Sequence, residues 1–150
     1  MKRLVPYAAA VWLAVSIPAF ASDIHVGSVK TARGAASIIR NRVPMEVKAG
    51  ARLFRNDSLK TGSDGALAMV FRDDTLLSIG PDSEIAVKDF LFSPAEGKLS
   101  FVARLLKGTA ACVTGIIGKL SPESFRFETP VANIGIRGTS FAVKVEGQED

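Results

Sequence analysis

The stretch GALAMVFRDDTLLSIGPDSE, residues 65–84, decides the fold. An apolar run from Ala66 to Phe71 meets the polar residues 72–74, and a second run from Thr75 to Ile79 ends at Gly80-Pro81. Short apolar runs of this length, bounded by turn residues, are typical of β-strands. Asp and Gly favour turns because Asp hydrogen-bonds to nearby backbone and Gly accepts a positive φ. The stretch therefore predicts two short strands joined by a tight turn.

The same pattern continues through the rest of the chain, where apolar segments recur about every 8 to 14 residues. In the segment 84–90, Ile85 and Val87 alternate with Glu84 and Lys88, which indicates one buried and one exposed face. We predict an all-β fold, either a β-solenoid-like stack of short strands or a β-sandwich. Further strands are predicted at 24–31, 35–39, 44–47, 59–62, 98–113, 125–128 and within 131–145.

Two segments fit this pattern less simply. The period alone permits a helix over 99–106, but Ser100, Phe101 and Val102 favour a strand, and Gly108 marks a bend or bulge. The segment 114–123 contains two Gly and one Pro and shows no regular period. We expect it to be an irregular or mobile loop.

Residues 1–21 have the composition of a cleavable secretory signal. A basic start is followed by an uncharged, mostly apolar run, and small residues at Ala19 and Ala21 precede the polar Ser22. A retained membrane anchor is the alternative, because the run is about long enough to cross a bilayer, although it is rich in Ala. We expect a signal-peptide helix at 1–21 that is removed, leaving one exported domain at 22–150 with its core at about 26–145.

Composition excludes several classes of function. The chain has 150 residues, 47% of them hydrophobic and 23% charged, which is typical of one globular domain. Without the leader, 17 basic residues face 15 acidic ones and no two basic residues are adjacent, so no nucleic-acid binding is predicted. His25 is the one histidine and Cys112 the one cysteine, so there is no zinc or copper set and no intramolecular disulfide. Cys112 is expected to be a buried apolar side chain.

Candidate catalytic groups are few. No nucleophile–base pair and no phosphate-binding loop is present, so we predict no enzyme and no cofactor. Four carboxylates recur every seven to nine residues and could line one face of a solenoid as a cation site: Asp57, Asp64, Asp73 and Asp82. The simpler interpretation is that Asp is a preferred turn residue, and the sequence does not decide between the two. Tyr7 and Trp12 both lie in the leader, which weakens the case for sugar binding.

Four blocks of the sequence resemble the FecR domain family. They are GARL at 50–53, DSLKTG at 57–62, the stretch 65–84, and FETPVANIGIRGTSFAV at 127–143. Their order matches the family, and the resemblance covers about Val26 to Val145. It implies a periplasmic all-β domain with solenoid-like stacking.

The best-known members of that family are inner-membrane regulators that couple an outer-membrane iron transporter to a cytoplasmic sigma factor. We expect no cytoplasmic tail ahead of the hydrophobic segment, which weighs against a role in sigma-factor regulation. The expected function is a non-catalytic interaction or signalling module in the periplasm. Its partner is expected to be another envelope protein, and its membrane contact is expected only through the leader before cleavage.

Within the closing block, Ile134, Ile136, Phe141 and Val143 are expected to face the core. Arg137 and Asn133 are candidate partner-binding residues, although Arg137 is favoured as a structural group that binds carbonyls at a corner. The interaction hypothesis predicts an exposed apolar patch or open sheet edge near Ile116, Ile117 and Phe125. The alternative function is binding of a cell-wall glycan or small ligand by Arg137, Asn133 and Arg104.

Overall fold

A computed structural model describes residues 24–136 and 140–146. The predicted signal helix, with its cleavage residues Ala19, Ala21 and Ser22, lies outside the described residues. Arg137 also lies outside them. Within the described part of the chain, no helix has the length and apolar character needed to cross a bilayer.

The prediction of an all-β fold is confirmed. One short helix, α1, spans Ile116–Leu120, and single 3-10 turns occupy Pro94–Glu96 and Pro122–Ser124. The predicted strands at 66–71 and 125–128 agree with the observed bounds, and most of the others differ by a few residues. The strands are β1 (Gly27–Arg33), β2 (Ala36–Arg40), β3 (Val43–Glu46), β4 (Arg52–Leu53), β5 (Ser58–Thr61), β6 (Ala66–Phe71), β7 (Leu76–Ile79), β8 (Glu84–Ser93), β9 (Lys98–Val113), β10 (Phe125–Glu128), β11 (Asn133–Ile134) and β12 (Ser140–Val145).

The strands form one curled sheet in the order β3-β2-β5-β8-β9-β7-β6-β1-β4. In addition, β10 and β12 each pair with β9, and β11 pairs with β10. Each described pairing is antiparallel except that of β9 with β10. A solenoid stacks its turns as parallel strands, so the solenoid part of the fold prediction is not confirmed. The curled sheet instead encloses the core between its two halves.

The strand β9 joins the two halves of the sheet. Its first part pairs with β8 and β10, whereas its last part, from Gly108 onward, pairs with β7 and β12. Gly108 has φ of +91°, in the left-handed region that Gly adopts at little cost. The predicted strand over 98–113 with a bend at Gly108 is therefore confirmed.

The core consists of side chains that alternate inward along each strand. In β6, for example, Leu67, Met69 and Phe71 are buried while the residues between them are half-buried. Six Phe rings pack in a connected series through the middle of the core. Four residues of the closing block pack against this core, as predicted: Ile134, Ile136, Phe141 and Val143.

The segment 114–123 differs from its prediction as an irregular or mobile loop. It forms α1 and a 3-10 turn, and Ile117 is fully buried. The N–H of Ile116 donates to the Asp73 carbonyl at 2.7 Å, and the N–H of Ile117 donates to Asp73 Oδ2 at 3.3 Å. The regular structure of this segment depends on hydrogen bonds to Asp73, which is distant in sequence. The local Gly and Pro content could not indicate these contacts.

Candidate functional site

An apolar groove of about 590 Å³ runs between β12 and the loop that precedes β11. Val143 and Val145 line it from β12, and Ile134 lines it from β11. Leu106 of β9 and Val131 of the loop line it as well; Val131 is 91% exposed. Its rim carries two acidic and two basic residues, Glu84, Glu146, Lys107 and Lys144. The groove is therefore apolar inside and has no net charge at its rim.

A second hollow, of about 440 Å³, lies beside the other face of the same strand. Its lining includes the small side chains of Ser78, Ala111 and Ala142, which lie side by side on β7, β9 and β12. Val143 and Lys144 line both hollows. The second half of β12 thus has an open depression beside each face of the sheet.

The strand β12 lies at an edge of the described sheet. Its register with β9 runs from Ser140 opposite Val113 to Val145 opposite Gly108, and no described residue pairs with its other side. An edge strand presents a row of backbone N–H and C=O groups to any strand that approaches. Lys144 points away from the core on this edge, and charged side chains of this kind disfavour pairing with an unselected strand.

Aromatic contacts hold β12 in place. The ring of Phe141 packs edge-on against Phe127, with centroids 5.2 Å apart, and against Phe125 at 6.4 Å. Such pairs add about 0.5–1.5 kcal/mol each to the burial of the rings. Phe141 therefore connects β12 directly to β10.

The bend of β9 is fixed by hydrogen bonds from Ser83. The N–H of Thr109 donates to Ser83 Oγ at 2.9 Å, and the N–H of Ser83 donates to Thr61 Oγ1 at 3.0 Å. The Thr61 hydroxyl in turn donates to the Gly80 carbonyl at 2.7 Å. Both Thr61 and Ser83 are buried, so these bonds satisfy polar groups that would otherwise cost free energy. This network fixes the bend in β9 and therefore the direction of its last part, with which β12 pairs.

A turn built by Thr129 projects Val131 into solvent. The N–H of Thr129 donates to the Ala132 carbonyl at 2.8 Å, and the N–H of Ala132 donates to Thr129 Oγ1 at 3.0 Å. These bonds close a tight loop with Val131 near its tip. Sequence reasoning missed Val131, Leu106 and Val145 as groove residues; the apolar Val inside a Thr-Pro-Val-Ala turn was the available signal.

The expected apolar patch around Ile116, Ile117 and Phe125 is not found there, and this expectation is corrected. Ile117 and Phe125 are 0% and 1% exposed, so neither offers a surface to a partner. Ile116 is half-buried. Ile117 is buried because its N–H donates to Asp73, which holds α1 against the sheet. Phe125 is buried because its ring stacks on that of Phe101, with centroids 4.5 Å apart.

The polar candidates are only partly brought together. Asn133 is exposed in β11 opposite Glu128, and Glu128 is in turn opposite Arg104 of β9. Neither Asn133 nor Arg104 lines the groove. Arg104 Nε is buried without a hydrogen-bond partner among the described residues. The three residues form a row across adjacent strands, and the concave pocket expected for glycan binding is not among the hollows described above.

The four recurring carboxylates do not line one face. Asp57 and Asp73 are fully buried, whereas Asp64 and Asp82 are exposed. Both buried carboxylates accept hydrogen bonds from the chain itself, Asp57 from Arg40 and Asp73 from Thr75. Within residues 24–136 and 140–146, no group of three or more His, Cys, Asp or Glu is arranged to hold a metal ion. The turn interpretation of these residues agrees with their contacts.

Cys112 is buried, as predicted, with 1% of its surface exposed. Burial raises the pKa of its thiol to about 12, and the nearby charge of Asp73 acts in the same direction. A thiol with this pKa stays protonated at neutral pH and is a poor nucleophile.

Comparison with known proteins connects this architecture to one family. The family model described as FecR protein matches residues 57–150, which include β5 to β12 and the whole groove. No curated protein and no solved structure matches the chain. The match begins at the β4–β5 turn and leaves out β1 to β4.

Proposed function

The chain belongs to the FecR protein family, and from that premise we propose that it is a non-catalytic periplasmic module that binds an extended segment of another envelope protein along β12. FecR domains occur in signalling and regulatory proteins of the cell envelope. A module of this kind needs a surface for a partner rather than reactive side chains. The buried, hydrogen-bonded state of Asp57 and Asp73 and the raised pKa of Cys112 support a role without catalysis.

The observation that carries the proposal is the position of β12 between two hollows. When a peptide adds to a sheet edge, its backbone bonds the free N–H and C=O groups and its alternate side chains fall on opposite faces. At β12, the groove with Leu106 and Val143 would receive large aliphatic side chains on one face. The hollow over Ala111 and Ala142 would receive side chains on the other face.

The binding of glycan is less well supported. Sugar rings stack on aromatic faces, yet Tyr7 and Trp12 are the sole Tyr and Trp, and both lie in the leader. The side chains that line the groove include no aromatic residue. Binding to purified peptidoglycan is therefore treated as an alternative outcome of the test below.

The test compares Val131→Asp with Leu120→Asp. Both residues are exposed apolar side chains, at 91% and 63%, but Leu120 does not line the groove. We expect the exported wild-type protein and the Leu120→Asp variant to capture the same envelope protein, and Val131→Asp to lose it. Hydrogen exchange of the complex should then show slower exchange of the amides of 140–145.

Two results would overturn the proposal. The first is equal capture by both variants with no slowing of exchange in β12, which would place the interface elsewhere. The second is co-sedimentation of the protein with purified peptidoglycan that Val131→Asp abolishes, which would make the groove a glycan site.

A further inference from the structure

Positive charge is concentrated in the first part of the exported chain. Residues 22–60 contain three acidic residues, Asp23, Glu46 and Asp57, against eight basic ones, Lys30, Arg33, Arg40, Arg42, Lys48, Arg52, Arg55 and Lys60. Residues 61–150 contain nine basic and twelve acidic residues. Asp57 is fully buried and forms an ion pair with Arg40, so these two charges largely cancel and the excess comes from the other basic residues. This region of the chain therefore carries an excess of positive charge that the overall charge conceals.

The fold gathers four arginines of this region at one end. Arg40 Nη2 donates to the Arg52 carbonyl at 3.0 Å, and Arg40 Cζ lies 4.5 Å from the centroid of the Phe54 ring. Arg55 directly follows Phe54. Arg42 is in the two-residue turn between β2 and β3. We call Arg40, Arg42, Arg52 and Arg55, together with β3, the basic hairpin end.

The turn that carries Arg42 is tight and well defined. Asn41 and Arg42 have φ of +51° and +65°, the conformation of a two-residue hairpin turn. Arg42 and Arg52 are exposed, and neither forms an ion pair with a described residue. Arg55 approaches one acidic group, Asp89, at 3.7 Å, and its own side chain remains 55% exposed. These guanidinium groups are open to an external anion.

Exposed apolar side chains lie beside these arginines. All four residues of β3 are exposed, including Val43 at 57% and Met45 at 37%. Val43 is directly opposite Arg40 in the β2–β3 register, and Met45 is opposite the buried Ile38. Glu46, the one acidic residue of β3, lies at the end away from the turn. The basic hairpin end thus combines guanidinium groups with projecting aliphatic groups.

We propose that the basic hairpin end docks on an anionic phospholipid surface. Arg binds lipid phosphates through its planar pair of donors. Val43 and Met45 can enter the boundary between headgroups and acyl chains, as the apolar faces of peripheral membrane proteins do. A soluble polyanion would match the arginines but would leave both apolar side chains in water. The combination therefore favours a lipid surface over a free phosphate or an acidic polymer.

This surface is separate from the β12 groove. In the strand order, β3 is at one end and four strands away from β9, which carries β12. The inference therefore does not depend on the proposed function, and the two can fail separately. The sequence analysis expects membrane contact only through the leader. The arginines are dispersed in the sequence, and the fold brings them together.

The test is binding of the exported protein to vesicles of phosphatidylglycerol and phosphatidylcholine, with pure phosphatidylcholine vesicles as reference. We expect binding to the anionic vesicles that weakens as salt increases. The triple variant Arg42→Glu, Arg52→Glu, Arg55→Glu should bind roughly 100-fold more weakly, on the basis of the usual contribution of each basic residue near such a surface. Arg40 is left unchanged because its ion pair with the buried Asp57 stabilises the fold.

The matched control is Lys98→Glu, Lys119→Glu, Arg126→Glu, which makes the same change in net charge at exposed positions outside this end. Its binding should change by less than about 5-fold, since charges more than a Debye length from the membrane are largely screened. Equal losses in the two triple variants would overturn the proposal, because net charge alone would then explain the binding.

A second variant tests the apolar contact. Val43→Ser should weaken vesicle binding and leave its salt dependence intact, whereas Val131→Ser, at an exposed apolar residue in the other surface, should not. If Val43→Ser binds as tightly as wild type and soluble polyphosphate competes fully with vesicles, the site is one for polyanions and the lipid proposal is wrong.

Discussion

Arg40 and Asp57 form a bidentate ion pair that ties β2 to the turn between β4 and β5. Arg40 Nε donates to Asp57 Oδ1 at 2.9 Å and Nη2 donates to Oδ2 at 2.8 Å. The N–H of Phe54 donates to the same Oδ2 at 2.8 Å. The hydrogen bond to Asp57 raises the pKa of Arg40, against an opposing effect of burial. One carboxylate therefore organises the turn and fixes the guanidinium group at the centre of the basic hairpin end.

Asp57→Asn is expected to destabilise the fold by about 2–4 kcal/mol, because a buried pair that loses one charge leaves the other uncompensated. The side chain of Arg40 is 32% exposed, so water will offset part of the loss. Urea unfolding followed by circular dichroism measures the change. The control is Asp82→Asn in another turn, where the residue is exposed and has φ of +50°. A cost for Asp57→Asn no larger than that of the control would show that the pair adds nothing to stability.

Gly108→Ala is expected to destabilise the protein by about 3 kcal/mol or more, because an added methyl group would overpack the bend of β9. Its Cβ would overlap the Ser83 side chain and lie 2.5 Å from Ser83 Cα. The control is Gly97→Ala, which has a similar positive φ of +67° and no atom within 4 Å of the added Cβ. That variant should lose only about 1 kcal/mol of folding free energy, the cost of placing a residue other than Gly at a positive φ. If the two variants had similar melting temperatures, Ser83 would have moved enough to accommodate the added methyl group.

The sequence predicted the regular parts of this fold and missed the parts made by distant contacts. The strands at 66–71 and 125–128 follow from local alternation, which a single sequence displays directly. The sequence predicts an apolar patch near Ile117, but Ile117 is buried, and its N–H donates to Asp73, forty-four residues earlier. The direction of β12 likewise depends on Phe127 and Ser83, which no local pattern relates to it.

The candidate surfaces were harder to predict than the fold for the same reason. A sheet edge such as β12 is defined by the absence of a neighbouring strand, which is a property of topology. The arginines of the basic hairpin end are separated by up to fifteen residues, and the contacts of Arg40 with the Arg52 carbonyl, the Phe54 ring and Asp57 bring them together. Val131 was readable as part of a turn, and its role in the groove depends on where β12 lies.

Cys112 should make stability fall as the pH rises from about 9 to about 12. The thiol has its ordinary pKa of 9.0 when unfolded and about 12 when folded, so in this window the folded state holds a proton that the unfolded state releases. Stability then decreases by up to about 1.4 kcal/mol per pH unit. Denaturant unfolding at several pH values, compared with Cys112→Ala, isolates this effect, because the lysines titrate equally in both proteins. Parallel pH profiles for the two proteins would contradict it.

Asp73→Asn is expected to detach α1 from the sheet while leaving most of the fold intact. Asp73 accepts hydrogen bonds from Thr75 Oγ1 at 2.7 Å, from the Thr75 N–H at 3.2 Å and from the Ile117 N–H at 3.3 Å. In Asn, an NH2 group replaces one carboxylate oxygen and would face an N–H or O–H donor in a buried site. We expect this to lower the stability of the region by about 1–3 kcal/mol. Hydrogen exchange should show the amides of α1 exchanging faster than those of β9.

The control for this change is Asp74→Asn, at the neighbouring exposed residue with φ of +66°, which Asn tolerates. Thr75→Val gives a further comparison, because Thr75 Oγ1 also accepts the Gly115 N–H at 3.0 Å and so links Asp73 to the start of α1. The effects of Asp73→Asn and Thr75→Val should therefore be non-additive by about 0.5–3 kcal/mol. The loss of the Asp73 charge should also lower the pKa of Cys112, which a spectrophotometric titration of the thiolate would register. Additive effects together with an unchanged pKa of Cys112 would mean that Asp73 does not organise this region.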